Sequence, residues 1–100
     1  MPRLNNLDVD LLRAFVTVVD AGGFTRAADI LLRRQSTLSL QIKRLEDSLG
    51  RRLLDRSSRR VRLTAEGEAL LDHAREMLRL NDQLVAQLSE PTLAGKVRLG

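Results

Sequence analysis

Between Asp8 and Ala21, the apolar residues Leu11, Phe15, Val18 and Val19 recur at helical spacing. Asp8 or Asp10 can serve as cap and first-turn acid, and Gly22 and Gly23 stop the helix. A second, short helix is expected from Phe24 to about Leu32. Its Ala27, Ala28 and Leu31 form a small-residue face suited to close helix contact, with Thr25 at or next to its N-terminus. A third helix is expected from about Gln35 to Leu49. There Leu38, Ile42, Leu45 and Leu49 step by 4, 3 and 4, which keeps them within about 60° of one another at roughly 100° per residue. Gly50 closes it in the usual place for a glycine at a helix C-terminus.

The period then changes. In RRLLDRSSRRVRL, Leu53 and Leu54, then Val61 and Leu63, flank a polar SSRR tip, the pattern of a small β-hairpin with Arg59 and Arg60 at or near its end. From Thr64 a single long helix is predicted, with Gly67 in its first turns. Leu70, Ala74, Met77, Asn81, Leu84 and Leu88 step by 4, 3, 4, 3 and 4, a heptad seam that Leu71, Leu78 and Val85 widen on one side. At 1.5 Å per residue about 26 residues make a rod near 40 Å, longer than a small core covers. Its first turn or two are expected to pack at home and the rest to want a partner helix. Asn81 is the kind of polar seam residue that fixes register. His73 lies beside the seam with no second ligand at metal-binding spacing, so it reads as a surface or interface histidine.

On the third helix, Ser36, Leu40, Lys43 and Asp47 point away from the apolar stripe, with Thr37, Ser39 and Arg44 on its flanks. Taken alone, that is an ordinary solvated face. Its setting gives it another meaning, because a short helix, a tight turn and a longer helix form a helix-turn-helix, whose second helix enters the major groove by its N-terminal half. Gln35 is suited to adenine, Ser36, Thr37 and Ser39 to base edges or phosphates, and Leu40 to a thymine methyl. Charge supports this setting. Residues 33–62 hold ten basic side chains against three acidic ones, a local excess of +7 in a chain whose net charge is +4. Such concentration of charge is what a polyanion-binding surface needs. A basic hairpin following a recognition helix is a wing, and a hairpin this small must lie along the three-helix core. Its arginines suit a phosphate fork or a narrow minor groove.

Other classes fit poorly. One hundred residues, 43% of them apolar, make one small globular domain. The absence of cysteine excludes disulfides and thiolate metal sites. No run approaches the roughly 18 to 20 apolar residues of a membrane span, and MPRLNNLDVD lacks a signal peptide's apolar core. The reading is a soluble protein of the cytoplasm, on the nucleoid. Two phenylalanines as the only aromatics disfavour single-strand binding by stacking. Both fall at core positions, which also disfavours a membrane-surface module. With one histidine and scattered carboxylates no catalytic constellation converges, so no enzyme, metal or cofactor is expected.

The ordered fragments Ala27-Ala28-x-x-Leu31, Gln35-x-x-x-Ser39-x-Gln41-Ile42, Leu45-Glu46, Leu49-Gly50 and Leu63-Thr64-x-x-Gly67 resemble the N-terminal region of LysR-type transcriptional regulators over residues 7 to about 90. The resemblance implies a mainly α winged helix-turn-helix over residues 1–63, a dimerising linker helix over 64–90, and at 91–100 the start of a truncated effector-binding domain. In PTLAGKVRLG, Val97 and Leu99 alternate with charge like a first strand. The implied partners are double-stranded operator DNA, read as an inverted repeat, and a second copy of the chain. A tetramer is implied for the full-length protein, and a small-molecule effector acting only through the absent domain. The family's DNA contacts fall at Gln35, Ser36, Thr37, Ser39, Leu40 and the wing arginine Arg59. To these the local charge and position add Thr25, Arg34, Lys43, Arg56 and Arg60, while Leu70, Ala74, Met77, Asn81, Leu84 and Leu88 are the dimerisation set. Arg34 stands where most members carry a capping serine, and Ser36 where proline is common. Either Ser36 caps a slightly later start, or Arg34 gains a phosphate contact in exchange.

Overall fold

The computed structural model describes residues 6–55 and 61–89. They form α1 (Val9–Ala21), α2 (Phe24–Leu31), α3 (Gln35–Leu49), β1 (Leu54–Asp55), β2 (Arg62–Leu63) and α4 (Ala65–Ser89). The expected order of elements is therefore present. The Asp8 carboxylate accepts the N–H of Asp10 at 2.8 Å and caps α1. Gly22 closes that helix with φ +81° and Gly50 closes α3 with φ +67°, the left-handed region that glycine enters without strain.

The core is shared by all four helices and the hairpin: Leu12, Ala14, Phe15, Val16 and Val18 of α1 meet Ala27 and Ala28 of α2, Leu38, Ile42 and Leu45 of α3, Leu53 and Leu54, and Ala74 and Leu78 of α4. This corrects the expected face of the first helix. Leu12 is fully buried and Leu11 only partly, with Val19 also at the margin. The reason is that α2, α3 and α4 all pack on α1, so its buried arc is wider than a one-sided amphipathic stripe.

Leu32, expected to end the second helix, lies just beyond it in the left-handed region (φ 56°, ψ 46°), with its side chain 91% exposed. For a leucine that conformation costs roughly 1–2 kcal/mol, whereas glycine loses only about 0.5–1 kcal/mol through its looser unfolded state. Nothing packs on the side chain to offset the strain. Leu32→Gly is therefore expected to raise unfolding stability by about 0.5–1 kcal/mol, read as a higher urea midpoint at unchanged m.

Thr64 fastens the start of α4. Its N–H donates to the Leu53 carbonyl at 3.0 Å, its hydroxyl donates to the Arg52 carbonyl at 2.6 Å, and the same oxygen accepts the Gly67 N–H at 3.0 Å. The helix is thus capped and tied to the strand that enters the hairpin. It then runs antiparallel to α1, held by two forked ion pairs. Arg13 meets Asp82 at 2.6 and 3.3 Å, and Arg75 meets Asp20 at 2.7 and 3.0 Å. Seven residues, two turns, separate the partners on each helix, so the two pairs fix direction and register together. Being exposed, each adds little to stability; what they specify is orientation.

Candidate nucleic-acid interface

The turn between α2 and α3 is three residues, Leu32, Arg33 and Arg34. The Arg33 N–H returns to the Ala28 carbonyl at 2.9 Å, and Arg34 is extended (φ −74°, ψ 148°) with its carbonyl accepting the Leu38 N–H at 3.0 Å. The turn is clamped from outside as well. One Arg33 guanidinium nitrogen donates to Gln41 Oε1 at 3.0 Å and another to Asp10 Oδ1 at 2.9 Å, while Gln41 Nε2 donates to Asp10 Oδ2 at 3.1 Å. The Arg33 hydrogen bond, opposed by partial burial and aided by the Arg33 charge, holds the Asp10 carboxyl below the usual carboxylate range. Arg33 therefore belongs to the scaffold and not to the free basic surface. Spacing alone did not reveal this, because Asp10, Arg33 and Gln41 lie on three separate elements.

Helix α3 begins at Gln35 with Arg34 in the cap position and no side-chain cap hydrogen bond from it. Ser36 lies inside the helix, which removes the alternative in which Ser36 caps a later start. Buried Leu38, Ile42 and Leu45 anchor the inner face. On the outer face Gln35, Ser36, Thr37, Leu40, Lys43, Arg44 and Asp47 are exposed, and Ser39 is half-buried at the edge. Gln35 Nε2 donates to Thr25 Oγ1 at 2.9 Å, so the first residue of α3 and the second of α2 form one polar unit.

Around this face stand exposed Arg34, Lys43, Arg44, Arg51 and Arg52, none of them ion-paired among the described residues. Glu46, by contrast, is 9% exposed and faces inward, its Oε2 accepting the Leu53 and Leu54 N–H groups at 2.8 and 3.2 Å. It fixes where the hairpin leaves α3. The strands pair antiparallel, Leu54 with Leu63 and Asp55 with Arg62. Arg56, Arg59 and Arg60 lie outside the described residues.

The expected seam of α4 divides in two. Ala74 is fully buried and Leu78 is 6% exposed, both inside the protomer's own core, with Leu70 and Leu71 packed at its margin. Ala74 is thus corrected from pairing surface to core: its small side chain lets α4 approach α1 beneath it. Asn81 is half-buried and donates to Asp82 Oδ1 at 3.2 Å. Met77, Leu80, Leu84, Val85 and Leu88 remain 40–78% exposed. Leu80, left out of the heptad set, lies on the same side as Met77, Leu84 and Leu88 at about 100° per residue. No helix among the described residues is long and apolar enough to cross a membrane.

Three comparisons bear on this geometry. Residues 9–68 match the family model described as bacterial regulatory helix-turn-helix protein, lysR family. Among curated proteins, the chain is 44% identical over 95% of its length to the HTH-type transcriptional regulator DgdR of Burkholderia cepacia, covering 32% of that protein. It is 42% identical over 89% of its length to the HTH-type transcriptional regulator BenM of Acinetobacter baylyi, covering 30% of it. The chain thus spans about a third of the length of these relatives. Among solved structures, the BenM DNA-binding domain in complex with catB site 1 DNA superposes with a TM-score of 0.79 at 42% identity, over 83% of this chain and 93% of that one. A Corynebacterium glutamicum OxyR mutant superposes with a TM-score of 0.82 at 32% identity, over 87% of this chain and 28% of that one. The matched proteins are transcriptional regulators and the shared region is their winged helix-turn-helix: the chain belongs to the LysR family of bacterial helix-turn-helix regulators.

Proposed function

We propose that the chain binds double-stranded DNA sequence-specifically, with the N-terminal half of α3 in the major groove and the hairpin arginines on the adjoining backbone or minor groove. The observation that carries this reading is the outer face of α3. Short polar side chains and Leu40 present groups of base-edge chemistry, ringed by Arg34, Lys43, Arg44, Arg51 and Arg52 without ion-pair partners among the described residues. The complex formed by the related BenM domain supports the docking. Direct contact is assigned to Thr25, Arg34, Gln35, Ser36, Thr37, Ser39, Leu40, Lys43, Arg56, Arg59 and Arg60. Arg34 stands beside the uncapped first turn of α3, so a DNA phosphate is its natural partner there.

Pairing is assigned to residues 64–90, through Met77, Leu80, Leu84 and Leu88 with Leu70 and Asn81 at the edge. A two-fold pair would set two α3 helices on the halves of an inverted repeat. Residues 91–100, which lie outside the described residues, are read from their sequence as the opening of a further domain, through which a small-molecule effector would act. In the full-length protein a dimer of dimers would engage an interrupted inverted repeat.

The test is a salt titration of binding to duplex DNA against binding to anionic vesicles. The expected result is duplex binding that falls linearly with log salt and negligible vesicle binding. Arg34→Ala should lower the magnitude of the salt slope by about 1, as for loss of one phosphate contact. Vesicle binding as strong as duplex binding would overturn the assignment.

A further inference from the structure

The hydrogen bond between Gln35 and Thr25 determines which groups α3 can offer to a base. A glutamine side chain carries one carbonyl oxygen and two amide hydrogens. On a free, solvated side chain the amide rotates about its last bond and can present either end. Here Nε2 lies 2.9 Å from Thr25 Oγ1, so one amide hydrogen is engaged and the amide plane is held. The carbonyl and the second hydrogen remain. One acceptor beside one donor is the complement of adenine, whose major-groove edge offers the N6 amino donor and the N7 acceptor. Guanine presents two acceptors there, which a glutamine with one hydrogen already engaged cannot satisfy.

Thr25 has capacity left as well. Its oxygen accepts from Gln35, so its own hydrogen is free to donate, and a hydroxyl at the start of α2 is exposed beside the face assigned to DNA. A phosphate oxygen is the acceptor that a bound duplex brings to that position.

We propose that Thr25 is a positioning residue for base reading, linking a backbone phosphate through its hydroxyl to the Gln35 amide and thereby making Gln35 select adenine. This rests on the assignment of α3 to the major groove. It adds that one contact of the phosphate-binding kind carries sequence information, because loss of the Thr25 hydroxyl frees the Gln35 amide to turn.

The test is selection from a library of randomised duplexes by the full chain and by Thr25→Val, Thr25→Ser, Gln35→Ala and the double variant Thr25→Val/Gln35→Ala. Thermal melts establish that each is folded; both side chains are exposed. The parent should select an A·T pair at one position of each half-site. Gln35→Ala should lose that preference by about five-fold or more, the lower end of a bidentate base contact. Thr25→Val should lose preference at the same position, Thr25→Ser should restore most of it, and the double variant should be no less selective there than Gln35→Ala alone. A uniform loss by Thr25→Val across all sequences would overturn the proposal, leaving Thr25 a plain phosphate contact and α3 the reading helix. Additive losses in the double variant, or a G·C preference at the Gln35 position, would also overturn it. If the parent selects no sequence at all, the DNA-reading assignment itself falls.

Discussion

Leu84→Asp is expected to yield a folded monomer that binds a full inverted repeat about 100-fold or more weakly, while keeping most of its weak affinity for a single half-site. Leu84 is 55% exposed and lies outside the apolar core, so the substitution removes no internal packing. The helix-propensity penalty of aspartate for leucine is only a few tenths of a kcal/mol. In a paired helix the same side chain would be enclosed, and an unpaired carboxylate there meets a desolvation penalty of several kcal/mol. Met77, Leu80 and Leu88 on the same side are 40–78% exposed in the single chain, so each would give up part of the about 1.5–3 kcal/mol that full burial of such a side chain contributes if pairing were lost. The two effects act together on dimerisation and neither touches α3. Binding to the full site falls because two tethered heads act as one ligand with a high effective concentration, and separated heads do not. Sedimentation of the variant, with binding to half-site and full-site duplexes, decides the matter. A variant that stays dimeric, or a monomer that holds the full site as tightly as the parent, would remove α4 from the linking role.

Gly67→Ala is expected to destabilise the chain by about 1–3 kcal/mol or more, although helix propensity alone argues the opposite sign. Gly67 is buried in the first turns of α4, where alanine would be favoured over glycine by about 1 kcal/mol. A Cβ built there would overlap the Leu53 carbonyl oxygen and lie 3.1 Å from its carbon. That oxygen cannot swing aside, because it accepts the Thr64 N–H at 3.0 Å and belongs to the segment leading into β1. Relief requires α4 to move away from the strand, which would strain the Thr64 bonds to Arg52 and Gly67. Sterics therefore outweigh propensity. Chemical denaturation measures the change, and a variant as stable as the parent or more so would show that the α4 start is not held against β1 as described.

The third helix was legible because a single face decides it. Leu38, Ile42 and Leu45 repeat at the helical period and Gly50 supplies a left-handed stop, so its bounds, Gln35 and Leu49, match the expectation. The first helix was legible as an element but not as a face. Three helices pack on it, and a stripe rule cannot favour Leu12 over Leu11 without knowing where those neighbours lie. Helix α4 exposed the opposite weakness. A heptad pattern joined Ala74 to Met77 and Leu84, whereas the fold gives Ala74 to α1's core and admits Leu80 to the exposed side. Two stripes on one helix merge when they are read as a single period. The charged residues were the least legible. Arg33 and Arg34 are adjacent and identical in type, yet one is tied to Asp10 and Gln41 and the other is unpaired among the described residues. Glu46 looks like one more helix-surface acid until the chain doubles back and places the Leu53 and Leu54 N–H groups against it. Such roles depend on contacts between elements that no local window contains.

On the assignment proposed above, the outer face of α3 reads base sequence and does more than position the chain on DNA. Its most direct test is the affinity of the parent, Gln35→Ala and Thr37→Ala for a selected site and for a scrambled duplex at one fixed salt concentration. Gln35→Ala is expected to remove about 1–3 kcal/mol of discrimination at one base position, as for a good bidentate contact, and Thr37→Ala to lose discrimination at another, while both barely change binding to the scrambled duplex. Equal losses on both duplexes would contradict it.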